Sequence, residues 1–92
     1  MPKVRAHIII TGLVQGVFFR ASTQRIAQEN SVAGWVKNRY EGSVEAVFEG
    51  EKEDVEKTIQ WCYRGPLGAN VENVDVAWED FKGEFDCFSI AY

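Results

Sequence analysis

Long apolar runs, clustered basic residues and paired cysteines are all missing from this chain of 92 residues. No apolar segment approaches the ~20 residues a helix needs to cross a bilayer, so no membrane partner is expected. Lys and Arg total ten and are scattered, against fourteen Asp and Glu, for a net charge of −4. Binding along a nucleic-acid backbone needs a basic stripe, which excludes nucleic acid as the main partner. The two cysteines, Cys62 and Cys87, are too few for a disulfide framework and lack metal-ligand spacing. The single histidine, His7, has no partner pattern around it and reads as structural. Linkers, low-complexity segments and internal repeats are also missing. The start of the chain carries Lys3 and Arg5 but passes directly into a strand-like run, unlike a signal peptide. Together with the missing cystine framework, this leads us to expect a cytoplasmic protein.

What is present fits one domain over residues 1–92. Hydrophobic residues make up 46% and charged residues 26%, the composition of a globular chain rather than a disordered one. Residues 5–11 are rich in β-branched side chains and predict a buried central strand ending at Gly12. Good helix formers from Ala21 to Glu29 predict a first helix, with Ile26 and Ser22/Thr23 on its inward face. Val32–Asn38 and Ser43–Glu49 predict two strands joined by a hairpin through Gly42. Gly50 is expected to break the second of these strands. The apolar set Val55, Ile59, Cys62 and Tyr63 predicts a second helix over 51–64, with acidic residues loading its first turn. Asn73–Asp80 alternates as a strand with one wet face, and a last strand runs through Phe88 and Ile90. The order implies a ferredoxin-like βαββαβ sandwich of the α+β class, an antiparallel sheet with two helices on one face and an extra short strand at the end.

Two segments carry chemistry. Gly12-Leu13-Val14-Gln15-Gly16-Val17-Phe18-Phe19-Arg20 is a glycine-punctuated loop that leaves a strand, enters a helix and ends on a permanent cation. Free backbone N–H groups, a helix N-terminus and a guanidinium converging on one point form a receptor for a small tetrahedral anion. Gly34-Trp35-Val36-Lys37-Asn38 brings a second strand to a neutral amide able to hold a water beside that anion. The combination suggests phosphate chemistry without a metal or cofactor. The plainer readings are a structural turn for the first segment and hairpin chemistry for Asn38. Phe18, Phe19, Trp35 and Trp78 read as packing residues, and the acids from Glu49 to Asp54 as a helix start with solvated surface. Cys62 and Cys87 fall on different sides of the sheet, so no bond between them is expected.

Those two segments, with Gly42, Gly65-Pro66, Ala69-x-Val71-x-x-Val74 and Phe88-Ser89-Ile90, resemble the acylphosphatase family over nearly the whole chain, in order. The resemblance implies hydrolysis of the carboxyl–phosphate bond of small acyl phosphates to a carboxylate and inorganic phosphate, with no metal and no phosphoenzyme. It implies that Arg20 binds the phosphate, that backbone N–H groups of Gln15, Gly16, Val17, Phe18, Phe19 and Arg20 surround it, and that Asn38 orients the attacking water. Inorganic phosphate or sulfate would then compete for the same site, and a monomer is the default state. Two positions depart from the family pattern: Leu13 and Ala91 stand where basic residues are common. The alternatives are an anion or carbamoyl-phosphate binding module, since similar domains head larger hydrogenase-maturation proteins, and an RNA-binding ferredoxin-like domain. The second would need exposed aromatics and a basic face on the central strands, where this chain offers Ile8, Ile9 and Ile10.

Overall fold

In the computed structural model, which describes residues 2–91, seven elements follow one another: β1 (Lys3–Leu13), α1 (Phe19–Glu29), β2 (Ala33–Asn38), β3 (Val44–Glu51), α2 (Lys52–Arg64), β4 (Asn70–Glu79) and β5 (Phe88–Ile90). The five strands form one sheet in the order β4-β1-β3-β2-β5. Alternation on β1 places Ala6, Ile8 and Ile10 on one face, and β3 adds Val44, Ala46 and Phe48. Phe19 and Ala27 of α1 and Val55, Ile59 and Cys62 of α2 join the same buried cluster, so both helices cover this one face. The α+β ferredoxin-like architecture is therefore present. β4, β1, β3 and β2 pair antiparallel in succession. The sheet as a whole is mixed, because β5 pairs parallel to β2 through Gly34↔Phe88 and Val36↔Ile90. The long segment 80–87 carries the chain from β4 at one edge of the sheet to the opposite edge, where β5 joins β2 instead of folding back beside β4 as a simple hairpin would.

Several boundaries depart from the sequence expectation for identifiable reasons. β1 continues past Gly12 to Leu13 with a register shift between Thr11 and Gly12. Gly12 has φ +126°, and a Cβ there would meet the Asn70 carbonyl oxygen at 2.2 Å, so β4 runs against bare backbone. Gly50 does not end β3 but pairs with Val4 inside it. Helix α1 starts two residues early, so its inward stripe is Phe19, Thr23 and Ala27, while Ile26 is half-buried. In α2 Thr58 replaces Tyr63 on the buried side, its hydroxyl donating to the Asp54 carbonyl and accepting from Asn30 Nδ2 of the α1 C-cap. Cys62 is buried and Cys87 exposed, both free thiols. Burial pushes the Cys62 thiol up to about 12, so it behaves as a small core hydrophobe.

The uncovered sheet face is ionic. His7 Nε2 lies 2.5 Å from Glu45 Oε2, and Lys37 and His7 flank the Trp35 ring. Glu49, expected on the solvated surface, is instead 2% exposed. Its carboxylate accepts from the N–H groups of Lys82 (2.9 Å), Gly83 (3.3 Å) and Glu84 (3.1 Å) and from Arg5 Nη1 (3.3 Å). Burial opposes its ionisation, yet the Lys82 N–H, the Arg5 guanidinium and the Glu84 N–H outweigh burial and hold the carboxyl below its ordinary value. Among the described residues, β1 and β3 form no basic, aromatic stacking surface of the kind an RNA-binding face would need.

Candidate active site

Val14, with no exposed surface, anchors the loop that follows β1 in the core. Beyond it the chain must turn into α1 within four residues. It does so through Gly16 (φ +75°) and Phe18 (φ +62°, ψ 28°), the latter an aromatic residue in the left-handed region. That conformation costs a non-glycine residue about 1–2 kcal/mol. Phe18 occupies the N-cap, where it cannot supply a capping oxygen. The first helical hydrogen bond runs from Ser22 N–H to the Phe18 carbonyl at 3.0 Å, leaving the N–H groups of Phe19, Arg20 and Ala21 ahead of the ladder. No acidic residue stands in the first turn. An open space lies over Gly16, with no atom within 4 Å of where its Cβ would be. Gly16 is thus required by its backbone angle, and the bare main chain faces outward.

These donors border an open cavity of about 280 Å³ lined by Val14, Gln15, Gly16, Phe18, Phe19, Arg20, Ala21, Asn38 and Ile90. Such a volume lies at the small end of ligand pockets, which run from ~300 to 1,000 Å³. Arg20, the second residue of α1, is half-buried on its wall. Asn38 arrives from the end of β2 through sheet register: it pairs with Val44 of β3, which pairs with Ile10 of β1. Asn38 Oδ1 is buried and has no hydrogen-bond partner among the described residues. A buried amide oxygen left without a donor is costly unless something from outside supplies one.

Of the residues singled out in the sequence, the structure brings Gln15, Gly16, Phe18, Phe19, Arg20 and Asn38 to one cavity. Val17 does not line it; its side chain packs on the core and borders a neighbouring groove. The Phe19 ring is core, 5.5 Å from Trp61 and 1% exposed, so only its backbone faces the site. Phe18 and Trp78, expected to pack, are 82% and 50% exposed. Ile90 and Ala21 complete the wall and carry no chemical signal in the sequence. Ile90 is there because the parallel pairing sets it beside Val36, with Ala91 N–H donating to the Val36 carbonyl at 2.8 Å. Among the described residues, no three His, Cys, Asp or Glu side chains converge as metal ligands.

The sandwich and its helix-terminal cavity define a small α+β domain with an open cavity at the start of α1. Comparison with known proteins makes the assignment specific. Residues 6–90 match the acylphosphatase family, and an acylphosphatase of Pelotomaculum thermopropionicum is 50% identical over 92 residues, covering all of both chains. The crystal structure of acylphosphatase from Bacillus subtilis superposes with a TM-score of 0.94 at 34% identity, over 97% of this chain and 99% of that one. The full-length HypF structure, in a phosphate- and nucleotide-bound form, matches with a TM-score of 0.86 at 27% identity, over all of this chain but 12% of that one. The chain belongs to the acylphosphatase family, enzymes that hydrolyse acyl phosphates.

Proposed function

We propose that hydrolysis proceeds by direct attack of a water held by Asn38 on a phosphoryl group bound by Arg20 and the backbone of residues 15–20. The observation that carries this reading is that Asn38, whose buried Oδ1 has no hydrogen-bond partner among the described residues, lines the same cavity as Arg20 and the uncapped start of α1. An amide oxygen accepts a water hydrogen and aims the water's lone pair; it is too weak a base to remove the proton. The water oxygen forms a bond to phosphorus as the bond to the carboxyl oxygen breaks. The electron pair leaves with a weakly basic carboxylate, so no general acid is needed. The water's proton passes to a phosphate oxygen of the substrate. Negative charge spread over the equatorial oxygens is met by the planar guanidinium of Arg20 and by N–H groups already in place. Small acyl phosphates suit the cavity, and inorganic phosphate or sulfate competes there without added metal.

The HypF likeness favours a second reading, a binding module that holds a phosphate-bearing ligand without turning it over. Benzoyl phosphate separates the two, since a module would bind it stoichiometrically and release no phosphate. For the hydrolase, Asn38→Ala should lower kcat by about two orders of magnitude and leave the inhibition constant of inorganic phosphate nearly unchanged. Asn38→Asp, which adds charge beside an anion, should be at least as damaging. If Asn38→Ala mainly abolished phosphate inhibition, the amide would belong to the anion cradle and not to the water.

A further inference from the structure

Gln15 stands between buried Val14 and the bare backbone of Gly16, at the entry to the cradle. Its Nε2 donates to the Arg39 carbonyl at 2.6 Å and to the Ser43 carbonyl at 2.9 Å, across 24 and 28 residues of chain. An amide nitrogen has two hydrogens, so both are committed to the β2–β3 hairpin. That hairpin closes without them: Ser43 O already accepts from Arg39 N–H (2.8 Å), and Arg39 O from Gly42 N–H (3.1 Å). The two Gln15 bonds are second bonds to satisfied carbonyls. Neither carbonyl requires them, and what they add is a fixed relation between two segments.

Those segments are the two halves of the site. Arg39 follows Asn38 directly, and Gln15 precedes Gly16 directly. In the sheet, Asn38 and β1 are separated by β3 through the pairs Asn38↔Val44 and Val44↔Ile10, roughly 10 Å or two strand spacings. Past the strand ends no ladder bond fixes the loop against the hairpin, and the Gln15 amide spans that gap. We infer that Gln15 is a positioning residue whose side chain sets the distance between the water held at Asn38 and the phosphate held by the loop. This rests on the water-holding reading of Asn38 above.

The test measures kcat for benzoyl phosphate and the inhibition constant of inorganic phosphate in Gln15→Ala, Asn38→Ala and the double variant. Gln15→Ala should lower kcat about ten- to a hundredfold, the cost of a misplaced nucleophile, with phosphate inhibition unchanged within about twofold. In the Asn38→Ala background the same substitution should change kcat by less than about twofold, because no placed water remains to be misaligned. A residue that only braced the hairpin would cost the same factor in both backgrounds, and that result overturns the inference. So does wild-type kcat in Gln15→Ala, or a loss seen in phosphate inhibition alone. Gln15→Met keeps the length of the side chain and removes both donors without adding a charge; it should behave as alanine does, and it serves as the variant if Gln15→Ala fails to fold. Normal turnover in Asn38→Ala would remove the reading of Asn38 itself and this inference with it, whereas multiplying effects remove only the role of Gln15.

Discussion

At one end of the sheet the protein supplies its own anions; at the other, the helix start has neither a side-chain cap nor an acidic residue. Where β3 passes into α2, Glu53 and Asp54 occupy the first turn and complement the helix dipole. Close by, Glu49 receives three backbone N–H groups and the Arg5 guanidinium. Where β1 passes into α1, the first turn has no acid, the N-cap is a phenylalanine with no side-chain cap bond, and Arg20 stands in that first turn. The donor types are the same, consecutive backbone amides with one arginine. The Glu49 carboxylate stays below its ordinary value despite being buried, so such a set outweighs the cost of desolvating a negative charge. On the reading proposed above, the start of α1 presents a set of the same kind to the substrate phosphate.

The largest effect should come from removing the cation at the open end. Arg20→Ala should lower kcat/KM for benzoyl phosphate by about two to four orders of magnitude, with folded-state circular dichroism retained. Arg20→Lys should recover little, because an ammonium does not reproduce the planar fork. A folded Arg20→Ala enzyme with near wild-type turnover would end the comparison at the α1 end.

The closed end should respond in stability rather than rate. Glu49→Gln should lower the unfolding free energy by about 1–3 kcal/mol, since four donors lose their charged acceptor, and should leave kcat as in the wild type. Because the folded-state value of Glu49 lies below the unfolded one (about 4.3), its contribution is complete above the unfolded value. It is lost as pH falls through the folded value. Urea unfolding from pH 7 to 3 should therefore be less pH-dependent in Glu49→Gln. Equal slopes in the two proteins would show that Glu49 is not the anion holding this end together.

The smallest and most direct change makes one end resemble the other. Ala21, exposed in the first turn of α1, lines the cavity. Ala21→Glu should stabilise the fold by about 0.3–1 kcal/mol through the helix dipole while weakening phosphate inhibition. A gain in stability with unchanged phosphate inhibition would separate the helix terminus from the anion site.

Much of this was legible in the chain, and the parts that were not share a cause. The β-branched run over residues 5–11, the acid-loaded start of α2, and the loop from Gly12 to Arg20 are local signals, because each depends on neighbours one to four residues away. They predict the elements, the α+β class and the candidate pair Arg20 and Asn38. Register, by contrast, is a relation between distant residues. The Asn38↔Val44 and Val44↔Ile10 pairs, the parallel β2–β5 contact that brings Ile90 to the cavity, the burial of Glu49 under the 82–84 backbone, and the reach of Gln15 to Arg39 and Ser43 join segments 24 or more residues apart or pass through an intervening strand. A polar side chain's partner is chosen by which backbone groups the packed sheet leaves within hydrogen-bond range. The sequence by itself determined which donors and acceptors exist and the elements that carry them. Only the tertiary structure decided which donors are consumed inside the protein and which remain for a ligand, because that depends on where separate strands end relative to one another.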